Sequence, residues 1–228
     1  MYQVILILII VGKGVVHQSL THGARQASYI NQLTRYQPIS LQFSSPIPID
    51  NLLGVKRSLG SKVGKTEVIE FTIDTSKCRV YPSALNDYVY FNAADIPPEG
   101  RPGAPMLPLK TFVITLPLGS KVIGVEVVGG TYVEIKPELK IVPKPTPLIR
   151  SKGKGGEYIP SPEIYALHTH FPGKLVEFEV GSDNNSTYCF VRFHPLQYIP
   201  AEGKVFLVTS VRILLYYEEG VSVSFPTS

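Results

Sequence analysis

Cysteine is scarce in these 228 residues, with Cys78 and Cys189 as the complete set. One disulfide is the most they can form, and sequence supplies no distance from which to argue for it. They read as two small, partly buried thiols. A strong charge of either sign is also missing. A net charge of +4 says little about nucleic acid unless the cations cluster, so no nucleic-acid partner is expected. Nor is there a long apolar run. The N-terminal stretch Val4 to Val11 is too short to cross a bilayer, which takes about 20 residues. Its length suits the core of a secretory signal, although no cation precedes it and Lys13 interrupts its end. Residues 1–24 are therefore expected to be a signal peptide. The rest is expected to be secreted or displayed at the cell surface, with no membrane span once the leader is removed. Gly12-x-Gly14 and Gly153-x-Gly155-Gly156 lack the strand–loop–helix context of a phosphate loop. No repeat of solenoid or propeller period is found.

What the chain does have is alternation. Glu67–Ile73, Tyr88–Phe91, Thr111–Leu116, Lys121–Val128, Thr131–Lys136, Leu139–Val142, Lys174–Val180, Thr187–His194, Lys204–Val208 and Val211–Tyr217 alternate apolar and polar positions. That is the period of a half-buried strand. Turn chemistry separates them at Pro117-Leu118-Gly119-Ser120, Gly129-Gly130, Ser182–Asn185, the Pro-rich His194–Pro200 and Ala201-Glu202-Gly203. No segment carries a sustained helical stripe. Nine or ten short strands with tight turns predict an all-β fold, an antiparallel, jelly-roll-like β-sandwich over residues 66–220. Residues 25–65, rich in Ser, Gln, Asn, Pro and Gly, read as an extended, poorly structured tether, with a short strand conceivable at Ile39–Phe43.

Catalytic chemistry is hard to assemble from these residues. A nucleophilic cysteine needs a base within reach, yet Cys189 and His194 sit five apart on one predicted strand and face opposite ways. His168-x-His170 is the best metal-like fragment, with only Glu163 near enough to suggest a third ligand. Loop histidines in solvent are the simpler reading. No cofactor is called for. Asn184-Asn185-Ser186-Thr187 contains glycosylation sequons but reads first as a turn. The unusual stretch is Lys136–Lys154, where Lys136, Lys140, Lys144, Arg150, Lys152 and Lys154 face one acid, Glu138. Pro143, Pro145 and Pro147 extend its backbone, while Ser151 to Gly156 has no apolar anchor. Such a basic loop suits protease bait or an anionic surface; it also suits a plain linker between two halves of a sheet.

Three elements carry a family resemblance. They are Gly103-Ala104-Pro105-Met106-Leu107-Pro108 with a later Leu116-Pro117, then His170-Phe171-Pro172-Gly173-Lys174, then Phe193-His194-Pro195-Leu196-Gln197-Tyr198-Ile199-Pro200. In order and spacing the chain resembles the N-terminal propeptide of the gingipain-type cysteine peptidases. The resemblance implies a β-sandwich prodomain that keeps a secreted gingipain-like cysteine endopeptidase latent, and helps it fold. A basic residue of the mid-domain loop would enter the specificity pocket as pseudo-substrate. Counted back from Phe171 without gaps, Arg150 takes that place, with Lys152 and Lys154 as neighbours if the register shifts. Gingipain precursors continue into a catalytic domain carrying a Cys/His dyad, whereas this sequence stops at Ser228. Residues 221–228 are thus expected to be a tail toward such a domain. The chain itself is expected not to be an enzyme, and to meet its peptidase in cis or in trans. The alternative is a secreted β-sandwich adhesion or binding module with no protease partner. A hydrolase using Cys78 or His168 and His170 is disfavoured, because no constellation converges.

Overall fold

The computed structural model describes residues 37–53, 64–85, 87–147 and 156–220. The signal peptide expected at 1–24 and the tail at 221–228 lie outside them.

Thirteen strands are found among the described residues. The first five are β1 (Gln42–Phe43), β2 (Ile47–Pro48), β3 (Lys65–Thr72), β4 (Cys78–Pro82) and β5 (Val89–Ala93). Then come β6 (Pro98–Glu99), β7 (Leu107–Pro108), β8 (Lys110–Pro117) and the 16-residue β9 (Lys121–Lys136). A single helical turn, α1 (Pro162–Tyr165), precedes β10 (Val176–Ser182), β11 (Ser186–Phe193), β12 (Leu196–Ile199) and the 15-residue β13 (Lys204–Glu218). The expected antiparallel β-sandwich is the fold that forms. One sheet runs β1-β9-β13-β12, with β2 also paired to β9 and β3 to β13. The other runs β10-β11-β8, and β4-β5 and β6-β7 form two small ribbons.

Two hydrophobic cores lie along the β9–β13 spine. In the first, Val205, Leu207, Val133, Ile135, Leu196 and Tyr198 pack on Val80, Phe91, Leu139 and Ile141. In the second, Val127, Val211, Ile213 and Leu215 pack on Leu116, Cys189, Val191 and Phe193. One extra residue lets a single strand serve both. Thr209 is unpaired in the ladder between Val208 and Ser210. Val208 faces the second core before this bulge, and the odd-numbered residues from Val211 to Tyr217 do so after it. A strand alternates sides at every residue, so a one-residue insertion exchanges its faces.

This bulge overturns the turn expected at Gly129-Gly130. Gly130 sits opposite Val211 with φ +146°, and a Cβ there would lie 2.2 Å from the Ser210 carbonyl oxygen. Only glycine allows that approach, so the pair bends one long strand and does not end two short ones. The expected strands Lys204–Val208 and Val211–Tyr217 merge in the same way. Leu139–Val142 is not a ladder strand either. It is a buried strap, bridged through Ile141 to Val89. Residues 37–53, expected to be poorly structured, are extended but packed. Ile39 bridges Val80, β1 and β2 pair with β9, and Ile49 and Leu52 are buried in the second core. Pro38, Pro46 and Pro48 and the interspersed Ser and Gln read as an extended tether, although apolar residues are present.

Candidate functional site

The catalytic readings find no support in the geometry. Cys78 lies in the first core and Cys189 in the second, both as free thiols. Burial pushes each thiol up to about 11, away from the thiolate that a nucleophile requires. His194 indeed faces away from Cys189, toward Glu177 at 3.1 Å. His168 is exposed and 3.7 Å from Glu202, while the His170 ring lies 5.2 Å from the Phe206 ring. Among the described residues no group of His, Cys, Asp or Glu is arranged to hold a metal ion.

The basic stretch divides in two. Its first half is not an exposed loop, for Ile141, Val142 and Pro143 are buried. Lys136 pairs with Glu134 and Glu138 at 2.9 and 2.8 Å, and the Lys140 ammonium stands 4.4 Å over the Tyr88 ring. Arg150, Lys152 and Lys154 lie in 148–155, outside the described residues. What the structure describes is the two stems on either side of that segment; the first family-like element binds both, and the second and third pair with each other nearer the strap.

The first element clasps the outgoing stem. Val142 accepts from the Met106 amide at 3.0 Å, the Lys144 amide donates to Ala104 at 2.7 Å, and the Gly103 amide donates to Lys144 at 2.8 Å. Gly103 also accepts from the Ser161 amide of the returning stem at 2.9 Å. Gly103 has φ +82°, and a Cβ there would meet the Ile159 carbonyl oxygen at 3.2 Å. Glycine is thus required both by conformation and by close approach. Above the clasp the stems pair directly. The Gly156 amide donates to Thr146, and the Thr146 amide donates to Glu157, each at 2.9 Å. The ends of 147–155 are thereby pinned together like the base of a hairpin.

The strap beneath the clasp is fixed by tyrosines. The fully buried Tyr198 hydroxyl donates to the Leu139 carbonyl at 3.1 Å, and Tyr165 donates to the Ile141 carbonyl at 2.6 Å. Burial pushes Tyr198 up to about 12 and Tyr165 higher still, so both remain donors. The second and third elements lock together further along. Phe171 and Tyr198 exchange backbone hydrogen bonds of 2.7 and 2.9 Å. Gln197, wholly buried, donates to the Lys174 and His194 carbonyls at 3.0 and 3.3 Å and accepts from the Gly173 amide at 3.3 Å. Buried polar groups satisfied in this way hold one arrangement against others. Sequence reasoning took His194–Pro200 for a turn and missed the roles of Gln197, Tyr198 and Tyr165. The available signal was two polar side chains, Gln197 and Tyr198, placed between prolines and apolar residues.

The architecture is that of a β-sandwich in which the two stems flanking the basic stretch 148–155 are clasped together. The Propeptide_C25 family model matches residues 95–224, more than half of the chain and all three family-like elements, and the chain belongs to that family. Two solved structures share the fold. One is the complex of Porphyromonas gingivalis RgpB pro- and mature domains, with TM-score 0.56 and 19% identity over 75% of this chain and 86% of that one. The other, from a structural study of zymogenic latency of gingipain K from Porphyromonas gingivalis, has TM-score 0.58 and 14% identity over 79% of this chain and 100% of that one. No curated protein matches the sequence. Among the described residues no helix is long and apolar enough to cross a membrane.

Proposed function

We propose that this propeptide keeps a gingipain-like cysteine endopeptidase latent, outside the cell or at its surface, by placing the basic loop 148–155 in the protease cleft as pseudo-substrate. The catalytic dyad belongs to the peptidase, joined in cis or met in trans, and this chain supplies the plug. The observation that carries the reading is the clasp. One family-like element, Gly103–Met106, binds both stems of the segment that includes Arg150, Lys152 and Lys154, and another holds the strap leading into it through Tyr198.

The physics favours an arginine at the tip. A guanidinium fork pairs bidentately with a carboxylate at the floor of a pocket. Stems pinned in advance reduce the ordering cost of docking. Removing one partner of a desolvated interfacial pair costs about 2–5 kcal/mol, roughly 30- to 5000-fold in affinity. In cis, the tether adds an effective concentration on the order of mM. The test is titration of a gingipain-type peptidase with this chain, where nanomolar-range inhibition is expected and Arg150→Ala weakens it by that factor. Unchanged inhibition by the Arg150, Lys152 and Lys154 alanine variants removes the pseudo-substrate role.

A further inference from the structure

The returning stem reaches β10 through a crossover, residues 166–175, that lies against β12 and the β12–β13 turn. Besides its backbone bonds to Tyr198, it is held at two histidines, and both are poorly suited to carry charge. His170 turns its ring toward Phe206 on β13, and its Nε2 is buried with no hydrogen-bond partner. The charged group facing it is Glu202 in the β12–β13 turn, which is itself paired with Lys204 at 2.7 Å and lies 3.7 Å from His168. On β9, Glu134 stands opposite Phe206 but is paired with Lys136. His194, in the β11–β12 turn, meets Glu177 of β10 at 3.1 Å. That carboxylate already binds the Lys174 ammonium, and the nearby Arg192 is paired with Glu179.

We propose that His170 and His194 make this crossover an acid-sensitive latch, which grips the returning stem of the loop at neutral pH and loosens below it. A proton placed on the Nε2 of His170 has no acceptor, and an unpaired buried donor is costly. At His194 the added charge gains Glu177 but loses solvent, and it is opposed by Lys174 and Arg192. In both cases burial is the main cause that holds the imidazole below its ordinary range. An unfolded or opened crossover therefore binds protons more readily than the closed one. The sign follows from linkage. Stability is fully present above the ordinary histidine value of about 6.5, and it is lost as pH falls through that value toward the lower folded one. The carboxylates with lowered values, such as Glu177 and Glu202, lose their contribution only in the more acid carboxylate range.

Hydrogen exchange on the 228-residue chain tests the latch by reading the Phe171 and Tyr198 amides against the Lys144 and Met106 amides of the clasp, which no histidine holds. After correction for intrinsic chemistry, the first pair should gain on the second about tenfold between about pH 7.5 and about pH 5.5. His170→Phe with His194→Gln keeps the ring against Phe206 and a polar group toward Glu177, and should reduce that gain to within about twofold. Should that pair fail to fold, His170→Leu with His194→Gln gives the same readout. Equal acceleration at both sites, or an undiminished gain in the double variant, overturns the latch. A functional arm rests on the latency role proposed above: inhibition of a gingipain-type peptidase should weaken with acid in the unmodified chain and hold in the double variant. A chain with the expected exchange pattern but no inhibition at neutral pH would sink the latency role and leave the latch standing.

Discussion

The outgoing stem and the crossover behind the returning stem are held by different chemistry. The outgoing stem, from Leu139 to Thr146, is fixed by backbone pairing to Gly103–Met106 and by two tyrosine hydroxyls in the first core. None of those groups changes charge near neutrality. The crossover behind the returning stem is fixed by Gln197, by one backbone pair to Tyr198, and by histidines that lie between core and solvent. One side is permanent and the other conditional. On the latency role proposed above, such a combination fits a loop that docks and is later released, because ordering in advance reduces the cost of binding and a weak flank gives it somewhere to open.

The largest disturbance is expected from Gly103→Val. A β-branched residue at φ +82°, with the Ile159 carbonyl 3.2 Å from its Cβ, should cost about 2–4 kcal/mol in chemical denaturation. It should also expose the Lys144 amide to exchange more than the Phe171 amide. Gln197→Leu attacks the other side. It leaves the Lys174 and His194 carbonyls and the Gly173 amide without their partner, a loss of about 1–3 kcal/mol that should fall first on the Phe171 amide. Tyr198→Phe sharpens the comparison with the smallest change. It removes the hydroxyl that holds the strap at Leu139 while leaving the backbone pair to Phe171 intact. About 1–2 kcal/mol should be lost, with protection lowered at Ile141 and unchanged at Phe171. If all three variants loosened the outgoing stem and the crossover alike, the two would be one cooperative unit and the contrast would fail.

Most of the strands were legible because inward and outward side chains alternate wherever a strand has one wet face, as in β11, where Thr187, Cys189, Val191 and Phe193 are buried. The errors share one cause. A Gly-Gly pair is chemically suited both to a turn and to a bulge, and only the opposing strand at Ser210 chooses between them. Likewise β12 lies between prolines that promised a turn, and β4 is a short ribbon, Cys78–Pro82, that its partner β5 makes a strand. The segment around Ile49 and Leu52 has apolar residues but prolines at 46 and 48 and no period-2 alternation, so its burial shows only where it packs on β9 and the second core. At the site, the sequence supplied the three elements but not the clasp they form, since the hydrogen bonds of the stems run between residues about 40 apart in the chain, such as Gly103 and Lys144.

Local chemistry settled the strand period, the burial of the thiols, the prolines of the stem and the family to which the chain belongs, for these are written in side-chain type and short spacing. Where β9 and β13 bend, which tyrosine holds which carbonyl and what faces each histidine were settled only when distant segments met. Hydrogen bonds and close contacts act over a few ångströms, and nothing in the order of residues states which ones will come that near.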